Sequence, residues 1–168
     1  MKPDDSASEA LPEVIIETRN LSRVYPGVVA LDDVNYRVYR NKVNVLIGEN
    51  GAGKSTMMKM LAGVETPSSG QIFLDGEPVT LGSTHQAEKQ GISIIFQELN
   101  LFPNMNVMDN IFIANEFFQR GRINEPYQYQ LAKSLLERLE LDVDPLSPLG
   151  ELGIGHQQLV EIARALSK

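Results

Sequence analysis

Apolar positions recur first with a period of two and later with a helical period, dividing the chain into a strand-rich front and a helix-rich back. Residues 14–18 are short and β-branched and predict a strand. After a turn at Pro26 and Gly27, residues 34–39 alternate and put Val34, Tyr36 and Val38 on one face, the pattern of a half-buried strand. Residues 43–47 (Val, Asn, Val, Leu, Ile) and 92–96 (Ile, Ser, Ile, Ile, Phe) are apolar runs of the kind that fit strands buried on both faces. Residues 71–76 read as a strand entering a turn, preceded by the turn chemistry of Thr66, Pro67, Ser68, Ser69 and Gly70.

The helical signals interleave with these runs and then replace them. Residues 54–62 are good helix formers, with Met57, Met58 and Leu61 able to pack and Gly63 as a stop. Ser83 followed by Gln86 matches a capping box and opens a short helix towards Gln90. Residues 107–114, 128–139 and 157–166 also predict helices, and Leu159, Ile162, Ala163 and Leu166 would form the apolar face of the last one. The expected organisation is a disordered leader over 1–13, a strand-rich core over 14–97, a helical subdomain over 98–155 and a final helix over 156–168. The fold class is α/β.

Composition narrows the function classes. The 168 residues suffice for one domain with a hydrophobic core, and 42% hydrophobic with 22% charged content is ordinary for globular proteins. A formal net charge of −7 argues against a broadly electrostatic nucleic-acid or membrane-surface binder. An anionic ligand would therefore need a local device. With no cysteine in the sequence, disulfides and thiolate metal sites are excluded. No apolar run approaches the roughly 18 residues that span a bilayer, and the acidic first residues lack a signal-peptide core, so the expected compartment is the cytoplasm.

That local device is the run Gly48-Glu-Asn-Gly-Ala-Gly-Lys-Ser55, the phosphate-loop pattern between an expected buried strand and an expected helix. Gly48, Gly51 and Gly53 allow backbone conformations that turn successive amides inward around phosphate oxygens. The following helix points its positive end at the same anion. Lys54 supplies a cation for the β- and γ-phosphates, Ser55 a hydroxyl for Mg²⁺, and Thr56 a hydroxyl for the α-phosphate. The ligand expected is ATP with Mg²⁺.

Four segments make the chain resemble the ATP-binding-cassette (ABC) ATPases, and more narrowly those of bacterial carbohydrate importers of the ribose and galactose type; the likeness runs from about Val14 to Lys168. Residues 20–33 look like the family's opening segment, and Tyr25 falls where members stack an aromatic ring on adenine. The run from Gly48 through Glu49, Asn50, Gly51, Ala52, Gly53, Lys54 and Ser55 to Thr56 is similar to the wording common in sugar importers. Gln97 stands where the family contacts Mg²⁺ and the attacking water. Residues 152–166 resemble the signature segment and its helix, whose start holds the γ-phosphate of ATP on the opposite domain. Here Leu152, Gly153, Ile154, Gly155 and His156 stand where the family has Leu-Ser-Gly-Gly-Gln. Gly153 therefore lacks the serine hydroxyl, and the half-site is expected to be weakened; His156 reads chiefly as a surface histidine at a helix start.

The resemblance implies a P-loop fold with an N-terminal antiparallel β-subdomain, an incomplete parallel core sheet and a helical subdomain. It further implies a second cassette docked head to tail, a transmembrane permease subunit, and indirectly a periplasmic binding protein, with the ATPase on the inner face of the membrane. In the family the metal-holding aspartate and the catalytic glutamate follow the signature helix. The chain ends before them, so these 168 residues alone are expected not to hydrolyse ATP usefully. Two other readings are a soluble cassette ATPase of translation or DNA repair, and a non-hydrolytic nucleotide-binding module. Between Asn100 and Gly150 four basic residues (Arg120, Arg122, Lys133, Arg138) face seven acidic ones, which disfavours nucleic acid. Of the remaining features, His85 reads as a solvated helix position, the six methionines as packing, and Lys133 with Glu137 as a surface i, i+4 pair.

Overall fold

A computed structural model describes residues 12–168, so most of the expected leader over 1–13 lies outside the described residues. The chain divides into two units, Met1–Ala87 and Glu88–Lys168.

The first unit is built on a four-stranded antiparallel sheet of order β2-β1-β3-β4, with β1 Val14–Tyr25, β2 Val28–Tyr39, β3 Ser69–Leu74 and β4 Glu77–Val79. Both long strands reach well beyond the residues whose pattern predicts them. They stay paired because Pro26 and Gly27, with Gly27 at φ 81, turn the chain straight back on itself. The β1–β2 register shifts near residues 18–24, and Asn20 and Asp33, both at φ 51, mark the irregularity that hides the alternation. Val34, Tyr36 and Val38 do share a half-buried face, while Asn35 and Arg37 are exposed.

Helix α1, Lys54–Leu61, packs against β2. Its buried side chains are Met57, Met60 and Leu61, whereas Met58, expected to pack, is 37% exposed. Positions i, i+3 and i+4 share one helix face, and Met58 lies off it. Helix α2, Thr84–Lys89, follows the expected cap: the Gln86 amide donates to Ser83 Oγ at 3.2 Å. The Gln86 side chain then accepts from the Gly82 amide at 2.8 Å, one residue earlier than in the usual box.

The second unit is a helical cluster. Helix α3 is Val107–Phe112, α4 is Glu125–Arg138, and α5 is Ile154–Leu166. Val107, Ile111 and Phe112 meet Ala132, Leu135 and Leu136 and the α5 residues Val160 and Ala163 in one core. Each large side chain buried this way contributes about 1.5–3 kcal/mol of transfer free energy. Helix α4 begins three residues before the expected Gln128, because Asn124 accepts from the Tyr127 amide and Pro126 occupies the first turn. A two-residue hairpin, β5 Phe118–Gln119 with β6 Arg122–Ile123, turns at Arg120 and Gly121, both at positive φ.

The apolar face of α5 differs from the expected one. Val160, Glu161 and Ala163 are buried, Leu159 and Ile162 are half-buried, and Leu166 is 47% exposed. Counting apolar letters alone misses the true stripe because a glutamate lies in it.

The two runs expected as buried strands are not strands. Among the described residues neither 43–47 nor 92–96 joins a ladder. Val43, Val45 and Ile47 are 94%, 69% and 87% exposed. A strand is completed by neighbours that take its amides and carbonyls, and no described strand does so here. The sheet observed is antiparallel throughout. Nor does the expected Lys133–Glu137 contact form an ion pair among the described residues.

Candidate nucleotide-binding site

In the first unit the phosphate loop runs over residues 48–53 into α1. Gly51 and Gly53 sit at φ 87 and 82, the left-handed region that side chains with a Cβ resist. Gly53 is also pinned sterically: a Cβ there would lie 2.4 Å from the Ala30 carbonyl oxygen and 2.7 Å from Leu31 Cδ2. The end of the loop therefore presses against β2, and glycine alone fits. Gly51 has open space around it.

Gly53 caps α1 without a side-chain acceptor, and the first helical bond runs from the Met57 amide to the Gly53 carbonyl at 2.9 Å. By helix geometry the amides of Lys54, Ser55 and Thr56 precede that ladder and are available to a ligand. The first turn contains no acidic residue to compete for them. Lys54 curls over the loop, its Nζ donating to the carbonyls of Gly48 and Glu49 at 2.6 Å each. Within this bent loop the Ala52 amide donates to the Glu49 carbonyl at 3.2 Å. Gly48, Glu49, Asn50, Gly51, Ala52 and Ser55 are exposed, and Gly53, Lys54 and Thr56 are half-buried. An ammonium, a row of free amides and a helix start thus converge on one exposed place, a combination suited to a polyphosphate.

Tyr25 ends β1. Its hydroxyl donates to Glu65 Oε2, and the Arg23 guanidinium lies 4.7 Å from its ring centroid. Arg23 is held in turn by the Thr66 carbonyl at 2.7 Å and by Glu65 at 3.4 Å, with Lys59 also 3.8 Å from Glu65. Sequence reasoning singled out the ring but not its supports. The hydroxyl's partner, Glu65, comes from forty residues on, where only the fold brings it near.

In the second unit Gln97 is exposed on a bend, and no described residue bonds its side chain. The signature residues 152–156 bracket the start of α5. Leu152 is half-buried; Gly153 is the N-cap at φ −62, with no side-chain cap bond; Ile154 (72% exposed), Gly155 and His156 lie in the first turn. The helix starts at Ile154, two residues before the expected boundary, and this leaves a bare helix end. The Gln157 side chain closes the turn behind it, donating to the Leu152 carbonyl at 2.9 Å. His85 is exposed, as its helix position implied.

Among the described residues no group of three or more His, Cys, Asp or Glu side chains could hold a metal. Magnesium needs less from a nucleotide site, where one or two protein oxygens complement phosphate oxygens and water. The exposed Ser55 hydroxyl beside the phosphate loop and the Gln97 amide oxygen are donors of that hard kind.

Known proteins resemble this chain in sequence and in fold. The xylose import ATP-binding protein XylG of Thermoanaerobacter pseudethanolicus is 46% identical over 160 residues, covering 94% of this chain and 32% of the relative. The ribose import ATP-binding protein RbsA of Rhodopirellula baltica is 45% identical over 156 residues, covering 92% and 30%. The chain thus spans about a third of the length of these curated relatives. Among solved structures, the ADP conformation of MJ1267, an ATP-binding cassette of an ABC transporter, superposes with a TM-score of 0.76 at 27% identity, covering 91% of this chain and 64% of that one. A dimeric post-hydrolysis state of the cassette MJ0796, bound to ADP and Pi, gives 0.72 at 25% identity, covering 91% and 69%. The pattern of the ABC transporter family matches residues 31–168, and the chain belongs to that family.

Proposed function

We propose that this chain is the nucleotide-gripping part of an ATPase that powers import of a sugar or polyol through a membrane permease. The observation that carries the reading is Lys54 folded over the carbonyls of Gly48 and Glu49 at the open start of α1. A triphosphate offers this ammonium a stronger, charged acceptor than those carbonyls. Tyr25 stacks on the base, the Lys54 ammonium and the open amides of Lys54, Ser55 and Thr56 hold the β- and γ-phosphates, and the Thr56 hydroxyl takes the α-phosphate. Ser55, and by its place in the family pattern Gln97, would hold Mg²⁺, which would neutralise charge developing on the phosphates. Gln97 also orients the attacking water.

The start of α5, with Gly153, Ile154, Gly155 and His156, faces the γ-phosphate bound to a second cassette, docked head to tail. Without a serine hydroxyl at Gly153 this contact rests on backbone amides, and it is weaker for that reason. Closure of the two cassettes drives the permease, to which a periplasmic binding protein delivers solute, and the ATPase works from the cytoplasmic face. Import-protein relatives and the acidic excess of residues 100–150 favour this over a role on nucleic acid. We assign ATP turnover to the full-length protein and nucleotide binding to these 168 residues.

Co-purification of the full-length protein with a polytopic membrane subunit, followed by sugar uptake in vesicles, tests the reading. ATP-dependent uptake lost in Lys54→Ala is the expected result. Uptake indifferent to that change would overturn it.

A further inference from the structure

The segment leaving Gln97 lies in no sheet, yet two of its alternate residues have both backbone groups satisfied by side chains. The Asn100 carbonyl accepts from Arg164 Nη1 at 2.8 Å, and its amide donates to Glu161 Oε1 at 3.4 Å. Two residues on, the Phe102 amide donates to Asn110 Oδ1 at 2.7 Å, and the Phe102 carbonyl accepts from Asn110 Nδ2 at 3.0 Å. Asn100 and Phe102 are exposed residues whose backbone groups could turn to water, and strands normally find partners for such groups in neighbouring strands. Here helices α3 and α5 supply them instead.

The side chains involved are unusual for their positions. Asn110 is wholly buried and Glu161 is 7% exposed, both among apolar neighbours of the helical core. Among the described residues Glu161 has no cation within 4 Å. A buried carboxyl without a counter-ion is costly, so its contact with the Asn100 amide has a structural purpose. Glu161 and Arg164 are one helical turn apart on α5, the helix whose first turn carries Gly153 to His156. Asn100 is three residues from Gln97, whose own side chain is left unbonded among the described residues.

We propose that Glu161 and Arg164 are positioning residues: they clamp the Asn100 backbone so that the Gln97 loop and helix α5 move as one rigid piece. Asn110 secures the same strip at Phe102. Gln97 then turns freely on a fixed base, and any displacement of α5 is delivered to it directly. The inference rests on the reading of Gln97 as the water- and metal-facing residue.

The test uses the full-length ATPase assembled with its membrane subunits, and compares Arg164→Ala, Arg164→Lys, Glu161→Leu, Glu161→Gln and Gln97→Ala. Arg164→Ala and Glu161→Leu are expected to lower kcat about tenfold while KM for ATP stays within about twofold, because ATP is gripped elsewhere. Arg164→Lys keeps a donor and Glu161→Gln keeps an acceptor, so each is expected to recover kcat to within about twofold of the parent. Arg164 is half-buried, so its variants remain informative if Glu161→Leu fails to fold. The clamp is overturned if Gln97→Ala lowers kcat while Arg164→Ala does not, or if Arg164→Lys is no better than Arg164→Ala. A silent Gln97→Ala overturns the reading of Gln97, and the purpose of the clamp with it.

Discussion

The hydroxyl of Tyr25 donates to the carboxylate of Glu65, tying the end of β1 to the segment after α1. With Arg23 over the ring, at 4.7 Å from its centroid, one aromatic face is occupied by a cation. The other is the face we assign to the nucleobase. An aromatic platform of this kind gains from being held still, since a fixed ring loses less entropy on binding.

Removing the ring in Tyr25→Ala is therefore expected to weaken ATP binding by about tenfold, within the range for loss of one base-stacking contact. Tyr25→Phe and Glu65→Gln, which keep the ring but loosen it, are expected to cost only about threefold. Titration with inorganic triphosphate separates base from phosphate. Its affinity stays unchanged in all three variants, and an equal loss for both ligands contradicts the platform.

The two left-handed glycines of the loop separate strain from contact. Gly53→Ala forces a Cβ to 2.4 Å from the Ala30 carbonyl as well as an unfavourable φ, and is expected to destabilise the fold by about 2–4 kcal/mol. Gly51→Ala meets no atom within 4 Å and is expected to cost about 1 kcal/mol from φ alone. Denaturant melts of the two variants check the difference. Equal losses would mean that the loop is not pressed onto β2.

Acid sensitivity has a definite sign at Glu17. Hydrogen bonds from Arg37 and then Arg19 hold its carboxyl below the ordinary 4.5. A carboxyl lowered in the folded state contributes stability above its unfolded value and loses it as the pH falls through the folded one. The gap in denaturant midpoint between the parent and Glu17→Gln is therefore constant above about pH 5 and shrinks below 4.5. A gap that persists to the lowest pH measured contradicts the assignment.

The candidate site was more legible than the packing around it. The glycine spacing, Lys54 and Ser55 carry their chemistry in local sequence, and a capping box announces α2. Residues 43–47 show the opposite case: an apolar run states what a segment can bury, not which strand it pairs with. In β1 and β2 the left-handed Asn20 and Asp33 break the alternation, so the strands read as shorter than they are. Glu161 was invisible as a core residue because its letter is charged; only the Asn100 amide explains why it lies in the buried stripe. The start of α4 could have been found, since Asn124 followed by Pro126 is a helix-opening signal.

The central claim is that loop amides and one ammonium group capture a triphosphate on an acidic protein. Its most direct test is an ATP-binding isotherm for the parent and for Lys54→Ala, measured with magnesium present. Loss of a charge-assisted contact predicts an affinity lower by about 10–100-fold with the fold intact. Equal affinities in the two proteins would contradict the account.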